Sequence, residues 1–384
     1  MADTHLAINV YEAALDRVRF VFDNCDDIVV AMSGGKDSTV LLHLARTVAA
    51  ERGRLPLKVF WFDQEAEWQA TGNYMRSVMY APDIVPWWFQ VPFRLTNSLS
   101  ASDNYLHCWD PAARDIWIRE QDPVSVKANP LPQFDRFHDL AQNLTLCCDT
   151  ADKQHVGKLV GLRTAESPAR RLLITRVRRR EAFRGITWSR KPVGNTRTFW
   201  PIYDFQDRDV WACIAQNNLP YNRIYDAMYR FGITGRNMRV SALIHETAWH
   251  HLKELQEIEP QTYSRFVRRL HGANCFTQLH DDIMPRKLPP AFVDWREYRD
   301  YLLKHLIEPR YHDLFRRRWR QQQGEDWYKV HVREIMINDT DGTLNHNEGV
   351  KLKSVENRTS GARFDLGQRR LEEAIARGDG SVID

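Results

Sequence analysis

The sequence predicts an α/β fold, an open parallel sheet with helices on both faces, followed by an α-rich C-terminal region. Three observations carry this expectation. The apolar run Ile28-Val29-Val30 leads through Ala31-Met32-Ser33-Gly34-Gly35-Lys36-Asp37-Ser38 into a helical pattern over 39–45, so strand, glycine turn and helix follow in that order. A second strand-like run, 57–62, comes one helix later, and strand, helix and strand at this spacing imply a right-handed parallel crossover. From Arg239 onward the apolar positions repeat at helical spacing instead.

Taken in order, 9–22 reads as a helix, 27–32 as a buried strand, and the helix after the glycine turn runs to about 52, with Gly53 as its stop. Strand 57–62 places Asp63 at the carboxyl edge of the sheet, the edge where open α/β sheets bind ligands. A helix over 67–80 and strands over 84–91 and 158–162 continue the alternation. Between 92 and 145 no period survives, which predicts an insertion or lid. Further on, Asp207 reads as a helix N-cap with Asp209 in the first turn, and Asn217-Asn218-Leu219-Pro220 as the helix end. Helices are expected over 240–256, 261–270 and 294–323, then a turn at 338–342 and a polar, partly mobile tail with one helix near Leu371. The expected division is an α/β domain over 1–235, an α-rich domain over 236–335 and the tail over 336–384.

Bulk composition narrows the class. A chain of 384 residues with 43% hydrophobic residues predicts about two folded domains. No apolar run reaches the ~18 residues of a membrane helix, and Met-Ala-Asp-Thr-His is not followed by a basic and then an apolar stretch, so a soluble cytoplasmic protein without membrane contact is expected. Six scattered cysteines without a C-x-x-C pair exclude a disulfide scaffold. A net charge of +4 is mild, but the basic residues are uneven. They concentrate over 170–197, with Phe183 and Trp188 as candidates for base stacking, and over 316–320; both stretches are candidate nucleic-acid contacts.

The loop from Ala31 to Ser38 suits a phosphate. A helix start after a glycine turn aims backbone N–H groups and the positive helix end at one point, Gly34 and Gly35 allow close approach, Lys36 supplies a charge, and Ser33 and Ser38 supply hydroxyls. It lacks the four-residue spacer of a Walker A loop, so a kinase or GTPase is not expected. A second cluster, Gly161-Leu162-Arg163-Thr164-Ala165-Glu166-Ser167-Pro168-Ala169-Arg170, again sets arginines at a strand end, where Arg163 and Arg170 can converge on phosphate or sulfate. Glu166 can brace an arginine or accept from a ribose hydroxyl.

The S-G-G-K-D-S loop resembles the PP-loop of the ATP pyrophosphatase superfamily, and G-L-R-T-A-E-S-P-A-R resembles the G-x-R-x-x-E-S-x-x-R motif of 3′-phosphoadenylyl sulfate (PAPS) reductases. Pro201-Ile202-Tyr203-Asp204 and the segment to Tyr225-Asp226 are similar to the segment after the Arg-rich loop in that family. The resemblance implies a Rossmann-like fold of the adenine nucleotide alpha hydrolase kind and ATP or PAPS as the nucleotide. It implies nucleotide contacts from Ala31, Ser33, Gly34, Gly35, Lys36, Asp37, Ser38, Asp63, Gly161, Arg163, Glu166, Ser167 and Arg170, with Lys36, Asp37, Arg163 and Arg170 in catalysis. Mg²⁺ is expected on Asp37 or Asp63, within the acidic trio Asp63, Glu65 and Glu67.

The chain also departs from the family. Reductases carry a catalytic cysteine in a C-terminal Glu-Cys-Gly-Leu-His segment, which is missing; Cys275 has other neighbours. Cys147-Cys148 is similar to the double cysteine of iron–sulfur adenylyl-sulfate reductases, but without a downstream C-x-x-C no cluster is expected. Phe62-Asp63-Gln64-Glu65-Ala66-Glu67-Trp68, with the α-rich C-terminus, is similar to the immunoglobulin-binding-regulator relatives. Four functions are compatible with these residues: chemistry at the α-phosphate of an adenylyl nucleotide with a protein partner or other acceptor, a PAPS reductase with a displaced cysteine, a component of nucleic-acid thiolation, or a nucleotide-sensing regulator.

Overall fold

A computed structural model describes residues 8–100, 103–147, 153–175, 183–190, 193–235, 238–240, 242–245, 251–274 and 287–340. Its centre is a five-stranded, all-parallel sheet. The strands are β1 (Asp27–Ala31), β2 (Leu57–Phe62), β3 (Ile84–Phe89), β6 (Val156–Val160) and β7 (Thr196–Phe199), in spatial order β3-β2-β1-β6-β7. The order reverses at β1, with β2 on one side and β6 on the other, so the crevice beyond the end of β1 is a topological switch point. Ala31 pairs with Phe60 and Val160, which brings the ends of three strands to one edge.

One face of the sheet is covered by α1 (Val10–Asn24), α2 (Lys36–Glu51), α3 (Gln69–Met79) and α6 (Asp207–Gln216). Their apolar stripes, such as Ala14, Val18 and Val21 on α1 and Leu41, Leu44 and Val48 on α2, share a core with Ile28, Val30 and Val59. Asn9 caps α1 in a reciprocal capping box with Glu12, and Gly53, at φ +61°, closes the turn after α2 as its sequence context predicts.

The other face meets the insertion together with α7 (Ile224–Arg230), α8 (Leu252–Ile258) and α9 (Pro260–Arg269). Residues on both sides of the expected boundary at 235 therefore share one core. The expected aperiodic insertion contains an antiparallel hairpin of β4 (Phe93–Thr96) and β5 (Tyr105–Cys108), and a short helix α4 (Phe137–Asn143). Strands of four residues are too short to impose a period, which is why the sequence pattern fails there. A trans cap joins the parts: the Glu259 carboxylate accepts from the N–H groups of Gln69 and Ala70 at 2.7 and 2.8 Å, serving the start of α3.

The last described helices are α10 (Trp295–Leu306), α11 (Pro309–Arg318) and α12 (Glu325–Met336), with their own core around Trp295, Leu303, Phe315 and Trp319. The single helix expected over 294–323 is thus divided: Ile307 is extended, and Pro309, which lacks an N–H, opens the next helix. The expected helix 240–256 is observed as α8 only from Leu252; of the intervening residues, 241 and 246–250 lie outside the described set. Asn338, held in the left-handed region at φ +58°, donates to the Asn97 and Ser100 carbonyls at 3.5 and 3.2 Å and ties the end of this unit to the insertion.

Candidate functional site

The site forms where β1 and β6 end and α2 and α6 begin. Gly34 sits at φ +71°, where a Cβ would meet Thr71 Cγ2 at 2.7 Å, so both the backbone and the packing call for glycine. The turn is held from outside: Asn222 Nδ2 donates to the Gly34 carbonyl at 3.2 Å and to Thr71 Oγ1 at 2.9 Å, and the Tyr225 hydroxyl accepts from the Lys36 N–H at 3.1 Å. Within the loop, Ser38 Oγ donates to the Gly35 carbonyl at 2.9 Å and lies 3.4 Å from Ser33 Oγ. Burial raises the Tyr225 hydroxyl pKa well above its ordinary value, so it stays protonated.

The two motifs meet here. The Arg163 guanidinium, 3% exposed, is ion-paired with Asp37 through Nε and lies 3.6 Å from Glu166. Its Nη2 is 3.3 Å from Asp207 Oδ1, and Lys36 Nζ is also 3.3 Å from that same oxygen. Lys36 Nζ is 3.6 Å from Asp37 and sits over the Tyr225 ring. Arg170 pairs with Glu166, and Ser167 Oγ accepts from the Arg170 N–H at 3.2 Å. Ser167 thus serves the start of α5 (Pro168–Thr175). Lys36, Arg163 and Arg170 face Asp37, Glu166 and Asp207, so among the described residues these six charges balance.

Asp207 is the residue that sequence reasoning misassigned. The N-cap of α6 is Gln206, in a capping box with Asp209, and this frees Asp207 in the first turn to face Lys36 and Arg163. Tyr225 and Asn222 were missed as site residues altogether; the signal was their place in the family-like segment. Gly161 has a packing reason: a Cβ there would stand 3.1 Å from the Asp37 backbone carbon and oxygen and from the Ser38 nitrogen. Gly161→Ala is expected to push β6 away from the loop, costing about 1–3 kcal/mol of stability and weakening phosphate binding. Denaturant melts and nucleotide titration check this; a variant with wild-type values in both contradicts it.

The expected Mg²⁺ and nucleotide role of Asp63 requires correction. Its carboxylate is fully buried and saturated. Trp88 Nε1 and Gln90 Nε2 each donate to Oδ2 at 3.0 Å, the Glu65 N–H donates to Oδ1 at 3.1 Å, and Arg119 forks onto both oxygens. Glu65, also fully buried, takes Trp109 N–H at 2.8 Å, Ile118 N–H at 3.3 Å and Arg269 Nε at 2.8 Å. The acidic trio is therefore a junction between β2, the insertion and α9, with no lone pair left for a metal at Asp63.

Glu67 completes that junction. Asp63 and Glu65 balance Arg119 and Arg269, so an ionised Glu67 would add an uncompensated buried charge. Desolvation, reinforced by the Asp63 charge and opposed by Arg119 3.7 Å away, pushes its carboxyl up to about 8. The folded protein then holds a proton that the unfolded chain releases above the ordinary carboxylate range. This stabilisation is full below that range and is lost as pH rises from about 5 to about 8. Glu67→Gln is expected to remove this slope from the stability–pH curve, measured by urea unfolding; parallel curves for the two proteins would contradict it.

Phe183 and Trp188 do not present stacking faces. Trp188 is 9% exposed, packed against Phe20 and Phe199, and Phe183 packs against the same two rings. Residues 176–182 and 191–192 of the Arg-rich stretch lie outside the described residues, as do Cys148, Cys275 and the side chain of Cys147. Cys25, Cys108 and Cys213 are buried, and burial raises all three thiols, Cys25 and Cys213 to about 11. Among the described residues no three His, Cys, Asp or Glu side chains form a ready metal site, and no helix is long and apolar enough to cross a membrane.

A glycine loop and an opposing buried arginine at the switch point of a parallel sheet form the kind of place where α/β domains hold a phosphate. Residues 27–85 and 116–231 match the model of the phosphoadenosine phosphosulfate reductase domain, so the α/β part of this chain is similar to that domain. The unmatched stretch between them, 86–115, contains the β4–β5 hairpin. The chain is 28% identical over 321 residues to the uncharacterized protein YbdN of Escherichia coli (strain K12), covering 79% of this chain and 77% of YbdN. Among solved structures, the PAPS reductase from Candida auris aligns with a TM-score of 0.31 at 13% identity, over 56% of this chain and 84% of that one. The FMN adenylyltransferase of Candida glabrata, in complex with FAD and inorganic pyrophosphate, aligns at 0.33 and 12% identity, over 58% and 64%.

Proposed function

We propose that this chain binds ATP or a related adenylyl nucleotide, PAPS included, in the Ser33–Ser38 loop and acts at its α-phosphate. One observation carries the reading: Lys36 and Arg163, from separate motifs, reach the same oxygen of Asp207, each at 3.3 Å. Two cations on one oxygen mark where a phosphate oxygen is held, with the loop N–H groups beside it. The six described charges balance one another, so they leave the charge of a triphosphate to be met by further cations. Asp37 and Asp207 are hard oxygen donors that suit Mg²⁺, an ion that takes one or two carboxylates and leaves its other positions to phosphates and water. When bound, Mg²⁺ would neutralise phosphate charge.

In the proposed reaction an acceptor oxygen attacks the α-phosphorus in line and gives up any proton it carries to solvent, the bond to the bridging oxygen breaks, and the leaving group takes that bonding pair, as pyrophosphate from ATP or as sulfate from PAPS. Lys36 and Arg163 neutralise the charge that develops on it. A sulfur or amine can then displace AMP from the adenylated acceptor; with water as acceptor, AMP and pyrophosphate form directly. The three described thiols, buried and raised, do not support a cysteine-dependent reductase.

The test is mass spectrometry of products after incubation with Mg²⁺ and ATP or PAPS, with and without acceptors. AMP and pyrophosphate from ATP is the expected result. Phosphoadenosine phosphate with sulfite from PAPS, or tight binding without turnover, would overturn the proposed chemistry in favour of a reductase or a regulator respectively.

A further inference from the structure

We propose that the C-terminal helical unit carries a groove that binds the phosphodiester backbone of a nucleic acid. The groove encloses about 520 Å³ along α10, α11 and the turn after α11, and Lys304, His312, Arg316 and Arg320 line it. Among the described residues one acidic side chain lines it, Asp300, and it is neutralised: Arg299 Nε and Nη2 both donate to Asp300 Oδ1, at 2.8 and 2.6 Å.

Basic residues at a helix end have an ordinary explanation, the favourable interaction with the helix dipole. That accounts for part of the run Arg316-Arg317-Arg318. Arg318 itself turns inward, donating to the carbonyls of Asp339 and Thr340 at 2.7 and 2.9 Å. The dipole does not account for Arg320, in the 3₁₀ turn beyond the helix; Lys304 has the same ordinary explanation in the last turn of α10, but the dipole does not explain why cations from two helix ends and the turn line one groove. Lys304 and Arg320 are exposed, and no hydrogen bond or ion pair is formed by either among the described residues. Arg316 has only a solvent-exposed contact with Asp313 at 3.6 Å, which is worth little.

The chemistry selects the occupant. Arginine forks match phosphate oxygens, and cations drawn from three elements along one groove suit a repeating anion better than a single one. The floor residue Trp319 is 4% exposed and its ring is stacked on His331, so a base finds no aromatic face. Recognition is therefore of the backbone and independent of sequence. This proposal does not depend on the nucleotide chemistry at Lys36.

The experiment uses the full chain and short fluorescent DNA and RNA oligonucleotides, with poly-glutamate as competitor, across a salt series. Wild-type protein is expected to bind both nucleic acids, with log K falling linearly in log salt. Lys304→Ala with Arg320→Ala should lower that slope by about 1.4–1.8, at ~0.7–0.9 for each phosphate no longer neutralised. Arg317→Ala, on the same helix but outside the groove, should leave it unchanged, and unaltered melting curves would show that the folds are intact. Absence of nucleic-acid binding, an unchanged slope in the double variant, or an equal loss in Arg317→Ala overturns the groove. Displacement by poly-glutamate at matched charge would overturn the occupant and point to an acidic protein instead.

Discussion

Glu65→Ala is expected to destabilise the protein by about 3–5 kcal/mol, the cost of breaking a buried ion pair from one side. The change leaves the Arg269 guanidinium, which is 9% exposed, without its carboxylate and with the His107 carbonyl as its remaining acceptor, and it leaves the Trp109 and Ile118 N–H groups without theirs. Against a total of roughly 5–15 kcal/mol for a typical domain, that is enough to unfold a large fraction of the molecules. Because Glu65 joins β2 to the insertion and to α9, unfolding should loosen all three together. The midpoint of urea denaturation measures the loss. Glu65→Gln keeps an acceptor for one or two of these donors and should fall between wild type and alanine. A loss below about 1 kcal/mol for alanine would mean that the junction is held by apolar packing alone.

The second large effect concerns chemistry and leaves the fold intact. Lys36→Ala is expected to reduce nucleotide turnover by about 10²–10³-fold, the usual consequence of removing one preorganised stabiliser of developing charge. Arg163 still pairs with Asp37 in this variant, and the charge left uncompensated falls on Asp207, whose side chain is 41% exposed to water, so thermal stability should change little. Arg163→Ala differs: that guanidinium is 3% exposed, and its loss leaves Asp37 and Asp207 close together and short of a cation, so stability and turnover fall together. Comparing kcat and the melting curve for the two variants separates the roles. Equal turnover in Lys36→Ala and wild type would remove the lysine from the reaction.

What was legible in the sequence is what short-range rules encode. The loop from Ser33 to Ser38, its strand and its helix are contiguous, and every local signal there agrees. The ion pair of Arg163 with Asp37 was not legible, because the two motifs lie far apart in the chain; the resemblance put both residues at the nucleotide without joining them. Asp207 was misread because an acid at a helix start satisfies the capping rule, yet Gln206 and Asp209 make the box themselves. Asp63 was misread for a related reason. The carboxyl end of a strand is where ligands bind, but Arg119 lies in the aperiodic insertion, where no local pattern shows that it folds back to claim the carboxylate. The break at Pro309 was visible as a proline, and an apolar period running through Ile307 concealed it.

Equilibrium titration of ATP, PAPS and AMP into wild-type and Lys36→Ala protein, by calorimetry with Mg²⁺ present, decides whether the Ser33–Ser38 loop holds a nucleotide. ATP or PAPS is expected to bind at one site, AMP to bind much more weakly for want of the pyrophosphate or sulfate portion, and Lys36→Ala to lose most of the affinity. Absence of binding by both ATP and PAPS, or equal affinity in the variant, would contradict nucleotide binding in that loop.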